Sequence, residues 1–501
     1  MKKFFLTLVF LSAAVMVRAA LPEPYLLARL HFAGEQKIFA SKEAASFTNE
    51  FCSVEARALR AEVADKLSAW LAQWLPKRTG AAAGGGAAKL RPLFDDLQSA
   101  EWFFEAHLEP NGKTDAAMAI KLAAARAELW QANLKSFFPF ATFKTQGGWL
   151  YFDSGTGTER LSGNLEKQAS QTNTAWLAAD VNWPLLARWE LKFKELGLPE
   201  TQLAVTAASG NLHIAGKLFF PENLSSKLDP WKVPTNTLHQ PFVSFTAARG
   251  FSSWLKTQSW WQPYSLSPTP NQFFVWALPQ IPYQTFAAIP VASAANSLAQ
   301  AYAKLQPVFS QPDAKDRFLS PFTLQYTNNQ ITLVGAPFVA PYLQGIREPS
   351  GQFLLAGAFP NTPKSQPLPP ELFQRLAAKN LVYYHWEITA ERLPQALNLS
   401  QLSLLLTMHR QLGGESAAMK WIQKVSPKLG NTVTEITQTG PAEMAFTRKG
   451  QGAFTALEML ALGNWLESPD FPRWDTKLPP RPKRLQQLNH PPQTSKPAPA
   501  K

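Results

Sequence analysis

The sequence predicts an α+β fold, with antiparallel sheets built from repeated strand–helix–hairpin units and helices covering one face. Three observations predict it. Paired runs of alternating apolar residues flank turn residues, which is the pattern of β-hairpins. Longer stretches between them carry apolar residues at helical spacing. The order strand, helix, hairpin occurs once in each half of the chain.

The elements follow in order. "VEARALRAEVADKLSAWLAQWL" places Leu59, Val63, Leu67, Trp70, Leu71 and Trp74 on one face of an amphipathic helix. "EWFFEAHLEPNGKTDAAMAIKL" reads as a hairpin. Trp102, Phe104, Ala106 and Leu108 alternate with mostly polar positions, and Asn111-Gly112 suits the positive-φ turn. Similar hairpins are expected around Gly147-Gly148, Ser209-Gly210-Asn211, Asn328-Asn329 and Gly440-Pro441. In the first repeat "WLAADVNW" is a strand, "PLLARWELKFKELGLP" a helix with Pro184 at its first position, and 201–220 the hairpin. In the second, "LVYYHWEIT" is the strand, "AERLPQALNLSQLSLLLTMHRQL" the helix and 432–447 the hairpin. In this pattern the chain resembles uncharacterised exported bacterial proteins with repeated strand–helix–hairpin units. Segments like "AADVNWPLLARW" ahead of "LAVTAASGNLHIAG" carry the resemblance. It implies an α+β build and export, and no particular activity.

The first residues read as a secretory signal peptide. Lys2 and Lys3 form the positive region, Phe4 to Val15 the apolar region, and Val17-Arg18-Ala19 the cleavage site. The apolar region is shorter than the ~20 residues of a spanning helix. No cysteine stands at the junction, which rules out lipoprotein processing. The expected organisation is a signal peptide at 1–19, an N-terminal α+β domain at 20–232 and a C-terminal α+β domain at 233–470. A flexible small-residue linker is expected at 80–89. A Pro-rich, basic, disordered tail is expected at 471–501. The mature protein is therefore expected to be soluble in the periplasm or outside the cell.

The composition agrees with a packed domain. Of 501 residues, 46% are hydrophobic and 17% charged, and 17 Trp and 34 Phe supply large apolar groups. Cys52 is the sole cysteine, so there is no internal disulfide and no Cys-rich zinc site, and a small buried hydrophobe is its simplest reading. The formal net charge is +13, part of it in the tail at Arg481, Lys483 and Arg484. That tail would favour an anionic surface, though a solvated tail is the simpler reading. No P-loop and no dinucleotide fingerprint occur, no cofactor is expected, and nucleic acid is not an expected partner.

Four constellations are worth weighing for chemistry. Ser253 and Lys256 form an S-x-x-K, and Tyr326 begins a Y-x-N. Penicillin-recognising serine hydrolases use such residues as nucleophile, activating base and proton relay. The third element, K-T-G, is absent, since Arg448-Lys449-Gly450 has the wrong middle residue. Gly414-Glu415-Ser416-Ala417-Ala418 approaches a nucleophile elbow, but it follows a helix, so Ser416 reads better as a cap. Glu105, His107 and Glu109 share one strand face and could give one or two metal ligands. A solvent-facing polar stripe explains them more simply, and no metal site is expected. His385-Trp386-Glu387 alternates likewise within a strand. The tryptophan-rich "FSSWLKTQSWW" reads as a helix with Phe251, Trp254, Leu255, Gln258 and Trp261 on a core stripe about 120° wide. Trp260 points the other way and is the one ligand-binding candidate among these rings. The function expected from all this is a non-catalytic binding or structural protein of the cell envelope, with an envelope polymer, lipid or protein as partner. The alternative is a serine hydrolase using Ser253 and Lys256.

Overall fold

The structure, a computed structural model, describes residues 25–473. Residues 80–85, 110–111, 113, 154–158, 172, 189–196, 225, 239–240, 259–260, 263–264, 280–283, 311–322, 328, 336–338, 360–369, 409–415, 453 and 469 lie outside that description. The first half holds β1 (Tyr25–Phe32), α1 (Glu35–Ala40), α2 (Ala45–Phe51), α3 (Val54–Thr79) and α4 (Gly86–Ser99). Next come β2 (Trp102–Leu108), β3 (Thr114–Lys121), α5 (Ala124–Lys135), β4 (Thr142–Gln146), β5 (Trp149–Asp153) and α6 (Glu159–Ser170). It ends with β6 (Leu177–Val181), α7 (Trp183–Leu186), β7 (Glu200–Ala208) and β8 (Asn211–Phe219). The second half begins with β9 (Ser244–Arg249), α8 (Ser252–Thr257), β10 (Gln272–Ala277), β11 (Thr285–Val291) and α9 (Ala294–Ser310). It continues with β12 (Thr323–Thr327), β13 (Gln330–Val334), β14 (Tyr342–Glu348), β15 (Gly351–Gly357) and α10 (Pro370–Leu376). The last elements are β16 (Leu381–Ile388), α11 (Thr389–Met408), α12 (Ala417–Val425), β17 (Asn431–Gly440), β18 (Glu443–Gly450) and α13 (Ala456–Glu467). The fold class is α+β.

All 18 described strands join one antiparallel sheet. In space they run β4-β5-β3-β2-β1-β6-β7-β8, then β18-β17-β16-β9-β10-β11-β15-β14-β13-β12. Without the β12–β13 hairpin, the second half has the strand order of the first. β9, β10, β11, β14, β15, β16, β17 and β18 stand where β1 to β8 stand. The expected recurrence of strand, helix and hairpin is one part of this larger repeat. The halves meet through equivalent strands, β8 against β18, with Phe219 opposite Glu443 and Leu212 opposite Gly450. An antiparallel pair of equivalent strands implies a local pseudo-twofold axis normal to the sheet. The expected domain cut at 232/233 falls in the connection between β8 and β9, and the sheet runs on through the junction.

Side-chain alternation decides which face each helix covers. On one face, Trp102, Phe104, Ala106 and Leu108 of β2 pack with Leu71 and Leu75 of α3, with α4 and with Trp130 of α5. The same face of the second half packs under α9 and under α11 to α13. Ala56 and Leu59 of α3 join that second cluster, so one apolar core includes both halves. The opposite face carries less. Leu161 and Leu165 of α6 lie on Phe103, Ala117 and Ala119, while Leu372 and Leu376 of α10 join Phe245 and Tyr384. The helical cover expected on one face is thus the main layer, and α6 and α10 add cover on the other. Trp276 lies at the centre of the second half, 0% exposed, with its ring stacked on Phe286 at 5.6 Å. Trp276→Ala should lower stability by about 3–5 kcal/mol, the usual loss for a large buried ring, measurable by urea unfolding.

Local expectations fare unevenly. At the β7–β8 turn, Ser209 and Gly210 both have positive φ, the geometry of a two-residue hairpin loop. Pro184 stands in the first turn of α7, and Asn182 caps it by accepting a hydrogen bond from the Leu185 amide at 3.0 Å. The rest of that expected helix is a turn to Arg188, lies outside the described residues at 189–196, and is not helical at 197–199. Three expectations need correction. Gly86 to Lys89 of the expected linker form the first turn of α4. Phe471 at the head of the expected tail is buried edge-on against Trp465 at 4.8 Å, and Trp465 donates to the Pro472 carbonyl. The helix read across "FSSWLKTQSWW" stops at Thr257, because Gln258 turns extended. Leu255 is buried and Phe251 packs on Phe273, but Trp254 is 57% exposed and not core.

Candidate functional site

The helical cover of the second face leaves a gap over the middle of the sheet. α6 covers β2, β3 and β5, and the strands beyond it, β1, β6, β7, β8 and β18, form the floor of a groove of about 1030 Å³. Two cross-strand rows make that floor. One runs Ala178, Ala204, Ala215, Thr447 from β6 to β18, with Ala215 exposed. Small side chains here let a ligand approach the backbone. The other row runs Glu105, Arg29, Asp180, Gln202, Lys217 from β2 to β8, each residue directly opposite the next. Asn164, Lys167, Gln168 and Gln171 of α6 form one wall.

The polar row has a buried anchor. Glu105 is 0% exposed and accepts from Arg29 Nε at 3.0 Å and from Gln168 at 2.7 Å. His107 Nε2 at 2.7 Å and Asn164 at 3.3 Å complete its shell. Burial raises its pKa, but the hydrogen bonds from His107 and Arg29, the Arg29 charge and Gln168 outweigh burial and hold it at about 2. Arg29 is thereby fixed at the groove floor, with 46% of its side chain exposed. Asp180, on the far side of Arg29, is pushed up by burial, against the Arg29 charge and the Gln202 hydrogen bond. Burial and the Asp180 charge likewise raise Glu200. Lys217 pairs with Glu443 at 3.0 Å. His31, 4% exposed, stacks on Phe103 at 4.4 Å and donates from Nε2 to Glu101 at 3.2 Å. Its Nδ1 has no partner among the described residues.

The residues singled out from sequence lie elsewhere or take other roles. Ser253 and Lys256 share one turn of α8, and Lys256 is exposed. Tyr326 is on β12, at the sheet edge six strand positions from β9, and its ring stacks on Tyr302 at 5.1 Å. No hydrogen bond joins Tyr326 to Lys256 among the described residues. Arg448 of the imperfect K-T-G is buried, paired with Glu458 at 2.7 Å and bonded to Thr434. Ser416 caps α12 by accepting from the Met419 amide at 3.2 Å. Trp260, Arg481, Lys483 and Arg484 lie outside the described residues. The solvent-facing stripe expected at Glu105 and His107 needs correction, since α6 covers both and they form the anchor just described. Cys52, expected to be buried, is half-buried. His385 and Glu387 face the opposite, helix-covered side. There Glu387 accepts from His385, Thr389 and the Ala456 amide and closes a buried polar cluster. No group of three or more metal-ligating side chains forms among the described residues.

Arg29, Asp180, Gln202 and Lys217 were not found from sequence. The β7–β8 hairpin pairs Gln202 with Lys217, but only strand order brings Arg29 and Asp180 beside them.

No family model matches the chain, and no curated protein matches it. Among solved structures, the one described as crystal form I of TP0453 is similar over 47% of this chain and 98% of its own, with 9% identity and a TM-score of 0.21. A likeness that slight carries no argument. No helix among the described residues is long and apolar enough to cross a membrane.

Proposed function

We propose that this is an exported cell-envelope protein that acts by binding, and that the groove is its binding site. The observation that carries the reading is the uncovered middle of the sheet. Helices cover most of it, yet the face of β6 to β8 stays open on an alanine floor next to a fixed row of charged and amide side chains. Convergent polar groups around a concave floor of this volume suit a ligand. Export rests on the residues ahead of Ala20.

Ala215→Trp tests the reading, because an indole there would stand on the middle of the groove floor and obstruct it. The side chain is exposed, so folding stability should stay within about 0.5 kcal/mol of wild type. Native mass spectrometry of protein incubated with a detergent-free envelope extract should find an added mass on wild type and none on the variant. Equal retention by both would put the ligand elsewhere. An unliganded mass for both would count against binding.

A further inference from the structure

We propose that the groove takes an extended acidic segment of a partner polypeptide. The proposal rests on the binding reading above and names the occupant.

The internal repeat supplies the first argument. In the second half, the strands equivalent to β1, β6 and β7 are β9, β16 and β17. On the same face β9 and β16 carry the aromatic Phe245, Tyr384 and Trp386, with Val433 and Glu435 of β17 beside them. The chain covers that floor with its own polypeptide. Phe242 meets Trp386 edge-on at 5.7 Å, Leu372 and Leu376 of α10 join the cluster, and Arg375 reaches Glu435 of β17 at 3.5 Å. One half therefore already shows this floor as a polypeptide-binding surface. In the other half the corresponding positions are Arg29, Ala178, Asp180 and Gln202, so a polypeptide lying there must offer polar contacts.

Size and charge supply the second. The floor spans β1 to β18, about 19 Å at roughly 4.8 Å per strand, which is about six residues of extended chain. The small side chains of half-buried Ala178 and Ala204 and exposed Ala215 allow a backbone to lie against the sheet, and Gln168, Gln171 and Gln202 can bond its amides. The charged groups that line the groove are Arg29, Lys167 and Lys217 against Asp180 alone. The counter-ion of Arg29, Glu105, lies buried beneath it, and Glu443 sits beside Lys217. Lys167, exposed on α6, is the cation best placed to meet an acidic side chain from above.

The test uses the mature chain and a fluorescein-labelled alternating Glu–Ala peptide of about eight residues, read by anisotropy at low salt. The expected result is saturable binding that weakens about tenfold or more in Lys167→Glu and is lost in Ala215→Trp, while the matching Lys–Ala peptide does not bind. Lys217→Gln, which replaces a cation already paired with Glu443 by a neutral amide, should weaken binding less than Lys167→Glu if both fold as wild type by circular dichroism. Binding of both peptides alike, or binding untouched by Lys167→Glu and Ala215→Trp, overturns the proposal. So does displacement of an envelope ligand by polygalacturonate but not by the peptide, which would assign an acidic glycan and leave the binding reading standing.

Discussion

Glu105→Ala is expected to lower the stability of the protein by about 3–5 kcal/mol, the usual cost of removing one partner of a buried ion pair. Four donors converge on this carboxylate, and the substitution would leave Arg29, Gln168, His107 and Asn164 without it under α6. Urea unfolding at neutral pH measures the loss. The pH dependence has a definite sign. Folding lowers the Glu105 pKa from its ordinary 4.5 to about 2. Its contribution is therefore complete above pH ~4.5 and lost as the pH falls towards 2, roughly 3 kcal/mol in all. In Glu105→Gln that acid-side slope should flatten. A Glu105→Ala variant as stable as wild type would mean that the anchor does not hold the groove floor.

Glu50→Gln is expected to act in the other direction. Glu50 is 2% exposed at the end of α2, near Gly452, and its backbone carbonyl accepts from Trp421. Burial pushes its carboxyl up to about 7, and the Lys428 charge only partly opposes that. The folded state thus holds the proton more tightly than the unfolded chain. Stability is greatest below pH ~4.5 and falls as the pH rises through 7, by about 3 kcal/mol in all. The glutamine variant has no such slope. It should be more stable than wild type by about 2–3 kcal/mol at pH 8 and nearly equal to it at pH 4. Thermal unfolding of both proteins across that range checks this, and a gap that is the same at every pH would contradict it.

These two carboxylates show where sequence reading reaches and where it stops. Hairpins were legible because their contacts are local. Ser209-Gly210 dictates its own turn, and the partners Ala208 and Asn211 are three residues apart. The recurring strand–helix–hairpin order was legible for the same reason. The sheet was not, because Phe219 must find Glu443 and Arg29 must find Asp180 across long stretches of chain. The groove inherits that difficulty, since its floor draws on β1, β6, β7, β8 and β18, and only β7 and β8 are joined by a short turn. Glu105 and His107 were visible as an alternating pair, but alternation alone does not say which face a helix will cover. The tryptophan stretch was misread for a related reason. Helical spacing holds only while the helix lasts, and at Gln258 the backbone turns extended; within the helix, spacing alone does not say that Leu255 is buried and Trp254 left in water.

On the proposal above, the open alanine floor is where this protein meets its ligand. Methyl NMR of alanine-labelled protein, titrated with the acidic peptide, tests it most directly. Shifts are expected to concentrate at Ala178, Ala204, Ala215 and Ala445, with the alanines under α3 to α5 unmoved. Shifts confined to other alanines, or none at saturating peptide, would contradict it.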